Sequence, residues 1–306
     1  MKLLHFIESQ QLEPDVIFSL FKKADELRER KEIELILKGK ILATLFYEPS
    51  TRTRLSFEAA MQKLGGSVIS TENAKEFSSA VKGESIEDSI RVVSSYADAI
   101  VIRHYEDGAA KIASLVSKVP VINAGDGKGQ HPTQALLDLY TIYKEFGRVE
   151  NLKIAIVGDL ASGRTARSLC YLLGKFSKNE IILISPEHLK IGEDIKQYLK
   201  KHELKFREET DLDKILPEVD VVYMTRIQKE RMTPEDYQRA HGKYILNTNN
   251  LPLIKQSCRI LHPLPKVDEI NLPLEIEKND ERIAYFRQAE NGLYVRMALL
   301  VELLTK

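Results

Sequence analysis

The chain has 306 residues, of which 43% are hydrophobic and 29% are charged, a composition that excludes a disordered protein and leaves room for two globular domains. Lysine plus arginine and aspartate plus glutamate both number 45, so the net charge is zero. A neutral chain predicts neither a nucleic-acid partner nor a membrane surface.

The two cysteines, Cys170 and Cys258, have neither metal-ligand spacing nor a disulfide framework around them. Cys170 lies in an apolar helical stretch, which predicts a buried and unreactive thiol. The first residues lack the pattern of a signal peptide, and no stretch approaches the roughly 18 apolar residues of a membrane span. We therefore expect a cytoplasmic location.

An amphipathic helix is predicted over residues 14–30, and short apolar strands then alternate with helical patterns. A first series of strands is predicted at 41–46, 67–70, 99–103 and 119–123. A second series is predicted at 153–158, 180–185, 205–208, 219–225, 244–247 and 259–261. Alternation of this kind predicts parallel sheets covered by helices on both faces.

Between the two series lies a predicted helix over 131–147, with Pro132 at its first position, and it is expected to bridge two domains. A last apolar helix is predicted over 289–304. The sequence thus predicts an α/β fold of two domains, each a parallel β-sheet flanked by helices. Their residues are 1–132 plus 287–306, and 133–286. Because ligands of open α/β sheets bind beyond the carboxyl ends of the strands, we expect the active site there, in the interdomain cleft.

The first strand is followed by Ser50-Thr51-Arg52-Thr53-Arg54, which opens a helix. Ser50 is a natural N-cap, and the first-turn amides of a helix lack intrahelical partners and carry the positive end of the dipole. Two arginines in a first turn oppose this dipole unless an anion is bound. We therefore predict a phosphate site here. An ordinary capped helix with exposed arginines is the alternative.

Helical spacing separates the two arginines. Arg54 lies in line with the buried face of Phe57 and Met61, so we predict a structural ion pair for it. Arg52 points elsewhere and is the better phosphate ligand, because a guanidinium can form a bidentate pair with phosphate oxygens.

Two other strands of the first series end in polar residues. Arg103 ends the strand 99–103 and His104 follows it, at the edge where the phosphate loop around Ser50 is expected to emerge. This position favours a ligand contact for Arg103 over a solvated charge. A glycine-rich segment over 123–131 leads into the helix that starts at His131, and this position favours a catalytic contact.

The polar segment 72–84 contains Ser78 and Lys82 and precedes the capping pattern Ser85-x-x-Asp88. From its residues alone it predicts a mobile surface loop.

In the second series, Gly158 to Thr165 has the spacing of a P-loop, but Arg164 replaces the required lysine. No acidic residue ends the next strand, so the ribose ligand of a dinucleotide fold is also missing. Both nucleotide interpretations are therefore disfavoured, and Arg164 is instead placed to bind a carboxylate. Two prolines in the segment 262–266 predict an irregular loop with free backbone carbonyls.

Taken together, these segments resemble the catalytic chains of aspartate carbamoyltransferases, within the transcarbamoylase family. The resemblance covers nearly the whole chain. It rests on STRTR at 50–54, KGE at 82–84, RH at 103–104, HPTQ at 131–134, GDL at 158–160, GRT at 163–165, TRIQKER at 225–231, HPLPKVDE at 262–269 and YFRQAENG at 285–292. Ornithine enzymes carry a cysteine within the equivalent of 262–265, and this chain has none there. Ser162 stands where family members often have tyrosine.

The resemblance implies a role for each matching residue and no cofactor or metal. The catalytic residues would be Arg52, Thr53, Arg103 and His131. Carbamoyl phosphate would be bound by Ser50, Thr51, Arg52, Thr53, Arg103, His131, Gln134, Leu264, Pro265, Ser78 and Lys82. L-Aspartate would be bound by Arg164, Arg226, Gln228 and Lys82.

In this family Ser78 and Lys82 reach into the neighbouring subunit's site, so the resemblance implies a homotrimer with shared active sites and replaces the surface-loop interpretation. It leaves open whether separate regulatory chains bind. The implied reaction gives N-carbamoyl-L-aspartate and phosphate, an early step of de novo pyrimidine biosynthesis.

No side chain in these motifs is an obvious dedicated nucleophile or base. We expect the departing phosphate to accept the amine's proton, while a neutral His131, with an ordinary pKa near 6.5, donates to the carbonyl. Three alternatives stay open: a different amine acceptor such as ornithine, a non-catalytic anion-binding protein, and a P-loop hydrolase. The second should have lost some of Arg52, Thr53, Arg103 and His131, and the third would need the missing lysine.

Overall fold

The structure is a computed structural model that describes residues 3–30, 35–77 and 82–305. The chain divides into two compact units. Unit 1 comprises Met1–Leu136 and Glu290–Lys306, and unit 2 comprises Leu137–Ala289. The domain boundaries given above, at 132 and 286, stay a prediction.

Unit 1 contains a four-stranded parallel sheet in the order β2-β1-β3-β4. Its strands are β1 (Ile41–Phe46), β2 (Ser67–Glu72), β3 (Ala99–His104) and β4 (Val121–Asp126). The helices that begin in this unit are α1 (Pro14–Glu29), α2 (Thr51–Lys63), α3 (Ala74–Phe77), α4 (Ile86–Val93), α5 (Ala109–Val116) and α6 (Pro132–Phe146). The division between the units falls within α6 and within α12 (Tyr285–Leu304).

Unit 2 contains a five-stranded parallel sheet in the order β10-β8-β5-β6-β7 and a parallel pair of two-residue strands. The sheet strands are β5 (Lys153–Val157), β6 (Glu180–Ile184), β7 (Lys205–Glu209), β8 (Val221–Met224) and β10 (Arg259–Leu261), and the pair is β9 (Leu246–Asn247) with β11 (Ile270–Asn271). The helices are α7 (Arg164–Leu173), α8 (Glu193–Lys201), α9 (Leu212–Ile215), α10 (Pro234–Ala240) and α11 (Leu274–Asn279).

Apolar strands and amphipathic helices build each core. The central strand β5 is buried over Ile154 to Val157, as expected for a parallel strand covered on both faces. Helix α1 begins at Pro14, whose missing N–H costs nothing in a first turn, and it buries Ile17, Leu20 and Phe21 at helical spacing. The α/β fold with parallel sheets flanked by helices is therefore confirmed.

Several boundaries differ from the sequence-based ones. Strand β4 begins at Val121 rather than 119, because Pro120 has no N–H for the ladder, and it continues to Asp126, which pairs with His104. Helix α12 begins at Tyr285, four residues earlier than expected. The four-residue helix α3 lies in the segment predicted as a loop.

Among the described residues, no helix combines the length and hydropathy that crossing a membrane requires. Cys170 is fully buried, so the prediction of a buried thiol is confirmed, and burial raises the pKa of this thiol to about 12.

Candidate active site

The corner between β1 and α2 has the features of an anion site. Ser50 is the N-cap, its side chain makes no capping hydrogen bond, and the first turn of α2 contains no acidic residue. The positive end of the helix is therefore not neutralised by its own first turn. Thr53 is buried, while Thr51 and Arg52 are exposed. The neighbouring atoms still cover part of the Arg52 side chain, and this desolvation lowers the pKa of its guanidinium. A bound anion would offset the desolvation.

Arg54 has the structural role predicted for it. Its guanidinium donates to Glu72 at 2.8 Å and to Glu58 at 3.3 Å, and so ties α2 to the end of β2. Glu58 also accepts from Ser70 at 2.6 Å. The ion pair predicted from helical spacing is confirmed, and it leaves Arg52 as the guanidinium of this turn that faces solvent.

Strand order brings Arg103 beside this corner. Strands β1 and β3 are parallel neighbours, with Phe46 paired to Arg103. The Arg103 guanidinium donates to the Glu48 carboxylate at 2.7 Å and to the Ala124 carbonyl at 3.4 Å. Glu48 belongs to the same loop as Ser50, so Arg103 and the phosphate loop meet at one edge of the sheet.

The loop before α6 places His131 and Gln134 in unit 1. The Asp126 carboxylate organises this loop by accepting from the Gln130 amide at 3.0 Å and the Gly108 amide at 2.9 Å. Both His131 and Gln134 are buried in the chain. The hydroxyl of Thr133 lies 3.3 Å from Nδ1 of His131, and a hydroxyl donating there leaves the imidazole proton on Nε2.

The segment before α4 is described only in part. Ser78 lies outside the described residues, and Lys82 is exposed. The Ser85 hydroxyl accepts from the Asp88 amide at 3.1 Å, which confirms the predicted helix cap. Glu84 accepts from Ser89 at 2.6 Å, so the chain after Lys82 is held to α4.

In unit 2, the ends of β5 and β8 lie side by side, with Val157 paired to Met224. Gly158 has a φ of 122°, and a Cβ built there would lie 2.3 Å from the Thr225 carbonyl oxygen. This position therefore needs glycine, since a side chain would push the two strand ends apart. Arg164 and Arg226 follow these strand ends in the chain.

Arg164 and Arg226 are held differently. Arg164 is the first residue of α7, after the N-cap Gly163, and is only 6% exposed. Arg226 is bound by both oxygens of Glu230, four residues on, and this pair raises the pKa of the guanidinium. Gln228 is partly buried nearby in the chain, as the N-cap of a 3₁₀ turn over Lys229–Arg231.

The loop 262–266 follows β10, the neighbour of β8. Leu264 has a left-handed backbone, with a φ of 55°, and its peptide bond to Pro265 is cis. Lys266 donates to Glu277 at 2.8 Å and anchors the end of the loop.

Sequence reasoning missed the buried side chains that hold this loop. His262, Glu269, Gln288 and Asp138 form a connected set of hydrogen bonds. Two of them stand in the quoted motif HPLPKVDE, but nothing in the spacing identified their contacts with each other.

A small open pocket lies in unit 2 beside Thr225. Its lining includes Gly158, Ile227 and Glu269. Across the part of the chain that the structure describes, no cluster of three His, Cys, Asp or Glu side chains could hold a metal ion.

Two family models match the chain in succession. The carbamoyl-P binding domain of aspartate/ornithine carbamoyltransferase matches residues 4–144, and the Asp/Orn binding domain of the same family matches residues 150–303.

Relatives named aspartate carbamoyltransferase match nearly the whole chain. The chloroplastic aspartate carbamoyltransferase 3 of Pisum sativum is 52% identical over 303 residues, which are 97% of this chain and 77% of that protein. The aspartate carbamoyltransferase catalytic subunit of Methanocaldococcus jannaschii is 47% identical over 304 residues, or 98% and 97% of the two chains.

Solved structures of aspartate transcarbamoylases are also similar to this chain. The catalytic subunit of M. jannaschii aspartate transcarbamoylase superposes with a TM-score of 0.89 at 47% identity, covering 98% of both chains. Aspartate transcarbamoylase from Trypanosoma cruzi, in complex with carbamoyl phosphate and aspartate, has a TM-score of 0.93 at 37% identity, covering 99% of this chain and 98% of the other. The chain therefore belongs to the aspartate carbamoyltransferases of the aspartate/ornithine carbamoyltransferase family.

Proposed function

We propose that this enzyme transfers the carbamoyl group of carbamoyl phosphate to the α-amino group of L-aspartate, giving N-carbamoyl-L-aspartate and phosphate. The observation that carries this is the β1–α2 corner, where the first turn of α2 contains Arg52 and the buried Thr53 and has neither a side-chain cap nor an acidic residue. That corner lies in the segment matched by the carbamoyl-P binding domain.

The donor is assigned to unit 1. Ser50, Thr51, Arg52 and Thr53 bind the phosphate through hydroxyls, amides and one guanidinium. Arg103, Thr53 and His131 contact the carbonyl oxygen, and Gln134 lies near the carbamoyl amine. Strand pairing supports this assignment for Arg103, because it puts that residue at the edge from which the phosphate loop emerges.

The acceptor is assigned to unit 2. Arg164 and Arg226 bind the two carboxylates of aspartate, with Gln228 beside them, and the Leu264 carbonyl with Pro265 orients the donor. The buried Arg164 supports this, since an arginine that is 6% exposed is shielded from water, which strengthens its interaction with a carboxylate. Both terminal nitrogens of Arg226 donate to Glu230, so a carboxylate of aspartate competes with Glu230 at the second guanidinium.

The reaction forms a bond from the aspartate nitrogen to the carbamoyl carbon and breaks the bond from that carbon to the phosphate oxygen. Negative charge collects on the carbonyl oxygen in the tetrahedral intermediate, where Arg103, Thr53 and His131 stabilise it. Each such donor contributes about 3–4 kcal/mol. The departing phosphate takes the amine's proton, so no further base is needed. Holding two reactants together contributes about 7–11 kcal/mol more.

The active form is proposed to be a homotrimer in which Ser78 and Lys82 complete a neighbouring subunit's site. Lys82 is exposed in the single chain, as a residue serving another subunit would be. Large apolar side chains of unit 1 are also exposed: Leu55 on α2 (49%), Ile69 on the edge strand β2 (41%) and Tyr96 after α4 (62%). Exposed apolar groups and an open strand edge favour association.

The product is proposed to enter de novo pyrimidine biosynthesis. A cytoplasmic location stays a proposal, drawn from the lack of a signal-peptide pattern and of a long apolar stretch in the sequence, and the plant relatives are named chloroplastic.

A steady-state assay for carbamoyl-aspartate tests the reaction. Wild-type enzyme should turn over with aspartate and not with ornithine. Arg52→Ala should lose at least about a hundredfold in rate while staying folded. Arg91→Ala on α4, which removes an exposed guanidinium of the same unit, should be unchanged. Absence of turnover with aspartate, or equal rates for Arg52→Ala and wild type, would refute the proposal.

Shared sites have their own test. Lys82→Ala and Arg52→Ala chains should each be inactive alone, and mixing them should restore part of the activity, because some sites then contain neither substitution. Sedimentation equilibrium should give three times the chain mass of 34.9 kDa. A monomer with full activity would exclude the trimer.

A further inference from the structure

His262 is a buried imidazole at the end of β10, immediately before the loop whose Leu264 carbonyl is assigned to the donor. It is 2% exposed. Its Nε2 lies 2.8 Å from Oε1 of Glu269, and its Nδ1 accepts the Leu264 amide at 2.7 Å. Both ring nitrogens are thus engaged, Nδ1 by the loop 262–266 and Nε2 by Glu269 beyond it.

These contacts determine where the ring proton lies. An amide N–H can only donate, so Nδ1 must present its lone pair to Leu264. The proton of the neutral ring is therefore on Nε2, facing Glu269. Burial alone would raise the pKa of Glu269, but its interactions with His262 and with the Val267 amide at 3.0 Å outweigh burial and lower the pKa from its usual value. Glu269 is accordingly an acceptor at neutral pH.

The amide that Nδ1 accepts belongs to a strained residue. Leu264 has a φ of 55°, a left-handed conformation that costs a residue with a branched side chain about 1–3 kcal/mol. A hydrogen bond to its N–H holds the peptide plane before Leu264, and so limits the directions in which the Leu264 carbonyl can point. The imidazole therefore acts on the carbonyl through the backbone.

The main chain of His262 is itself anchored. Its amide donates to Oε1 of Gln288 at 2.8 Å, and Nε2 of Gln288 donates to Asp138 at 2.6 Å. The second Asp138 oxygen accepts from Tyr223 at 2.7 Å. Burial and the Asp138 carboxylate raise the pKa of Tyr223, so its hydroxyl stays a donor. Residues of α12, α6 and β8 thus hold the main chain of His262 through this series of hydrogen bonds.

We propose that His262 is a positioning residue: through Nδ1 it holds Leu264 in the left-handed conformation from which the Leu264 carbonyl contacts carbamoyl phosphate. This rests on the proposed function, which assigns that carbonyl to the donor. The contribution of His262 is specific to the carbamoyl part of the donor, since the phosphate is assigned to residues of unit 1.

Two substitutions separate the functions of the two nitrogens. His262→Asn keeps an acceptor near the Nδ1 position and loses the donor to Glu269. His262→Gln keeps a donor near the Nε2 position and loses the acceptor for the Leu264 amide. We expect His262→Gln to raise KM for carbamoyl phosphate about tenfold, which corresponds to the loss of one hydrogen bond. The KM of His262→Asn for carbamoyl phosphate should stay within about threefold of wild type.

Inorganic phosphate is the matched probe, because it lacks the carbamoyl group. Its inhibition constant should be the same in wild type and in both variants. Lys266→Met, which frees the other end of the loop from Glu277, controls for general loosening and should raise KM less than His262→Gln. Equal effects of the Asn and Gln variants, or a parallel rise in the phosphate constant, would mean a merely structural role and overturn the proposal.

A measurement on wild-type protein keeps the test independent of how the variants fold. In ¹⁵N spectra the His262 ring should carry its proton on Nε2 and have a bare Nδ1, and the Leu264 amide should exchange slowly with solvent. A proton on Nδ1 would overturn the inference. Failure of wild type to carbamoylate aspartate would instead refute the proposed function. The ring spectrum does not depend on that reaction, so the two failures can be told apart.

Discussion

Arg103 and Glu48 form an ion pair of 2.7 Å at the carboxyl ends of β3 and β1, with side chains only 12% and 26% exposed. The pair joins a residue assigned to the donor's carbonyl oxygen with a carboxylate of the phosphate loop. An anion that binds Arg103 therefore competes with an internal carboxylate for this guanidinium. This competition lowers the net affinity for the donor.

Glu48→Gln should increase the affinity for inorganic phosphate about three- to tenfold, because a neutral amide competes less strongly for Arg103 and adds no negative charge to the site. Isothermal titration calorimetry measures the change directly. Glu26→Gln, at an exposed position on α1, alters the net charge equally and should leave the affinity unchanged. An affinity for phosphate that falls in Glu48→Gln would show that Glu48 supports the site.

Arg54→Met should destabilise unit 1 by about 1–2 kcal/mol while phosphate affinity stays within about threefold of wild type. The physical reason is that Arg54 bonds to Glu58 and Glu72 rather than to solvent. Arg52→Met should show the reverse pattern, with a folded protein that binds phosphate at least tenfold more weakly. Thermal unfolding and calorimetry on both variants give the comparison. Equal losses of affinity would contradict the division of roles.

The sequence sufficed where contacts are local. Helical spacing alone separated Arg52 from Arg54, and the structure pairs Arg54 with Glu58, one turn away. The strands β1 and β10 have the predicted bounds, since both are apolar runs with clear ends. The cap at Ser85, which the four-residue pattern Ser85-x-x-Asp88 predicts, is present.

Contacts between distant segments could not be predicted in this way. Arg103 and Glu48 are 55 residues apart and meet because β3 lies beside β1, an order that periodicity does not encode. His262 and Gln288 are 26 residues apart, and their bond depends on how the start of α12 packs against β10. The two-residue strand β11 is too short to carry any alternation.

Gly158→Ala should raise KM for aspartate more than KM for carbamoyl phosphate, because the added methyl meets the Thr225 carbonyl at 2.3 Å and displaces the strand end before Arg226. We expect at least a tenfold effect on aspartate, together with a loss of about 2 kcal/mol in stability. Gly147→Ala also has a positive φ but open space around it, so it separates backbone strain from the clash. Similar kinetics for both variants would contradict this account.

The stability of unit 2 should depend on pH through Glu145, which binds Arg259 at 2.7 Å and Arg287 at 2.8 Å. Burial raises the pKa of Glu145, but the hydrogen bonds and charges of Arg287 and then Arg259 outweigh it, so its pKa in the folded chain lies below 4.5. Below pH 4.5 the unfolded chain takes up this proton before the folded chain does. Stability from this site is therefore complete above pH 4.5 and is lost as the pH falls through the lower, folded value.

Glu145→Gln removes that contribution. At pH 7 the variant should be less stable than wild type by about 2 kcal/mol, since two charged hydrogen bonds are weakened. As the pH falls below 4.5 the difference should shrink, because wild type loses the same interactions by protonation. Calorimetric unfolding at a series of pH values measures this, with Glu235→Gln on α10 as an exposed control. A difference that stayed constant down to pH 3 would mean that Glu145 acts through packing and not through its charge.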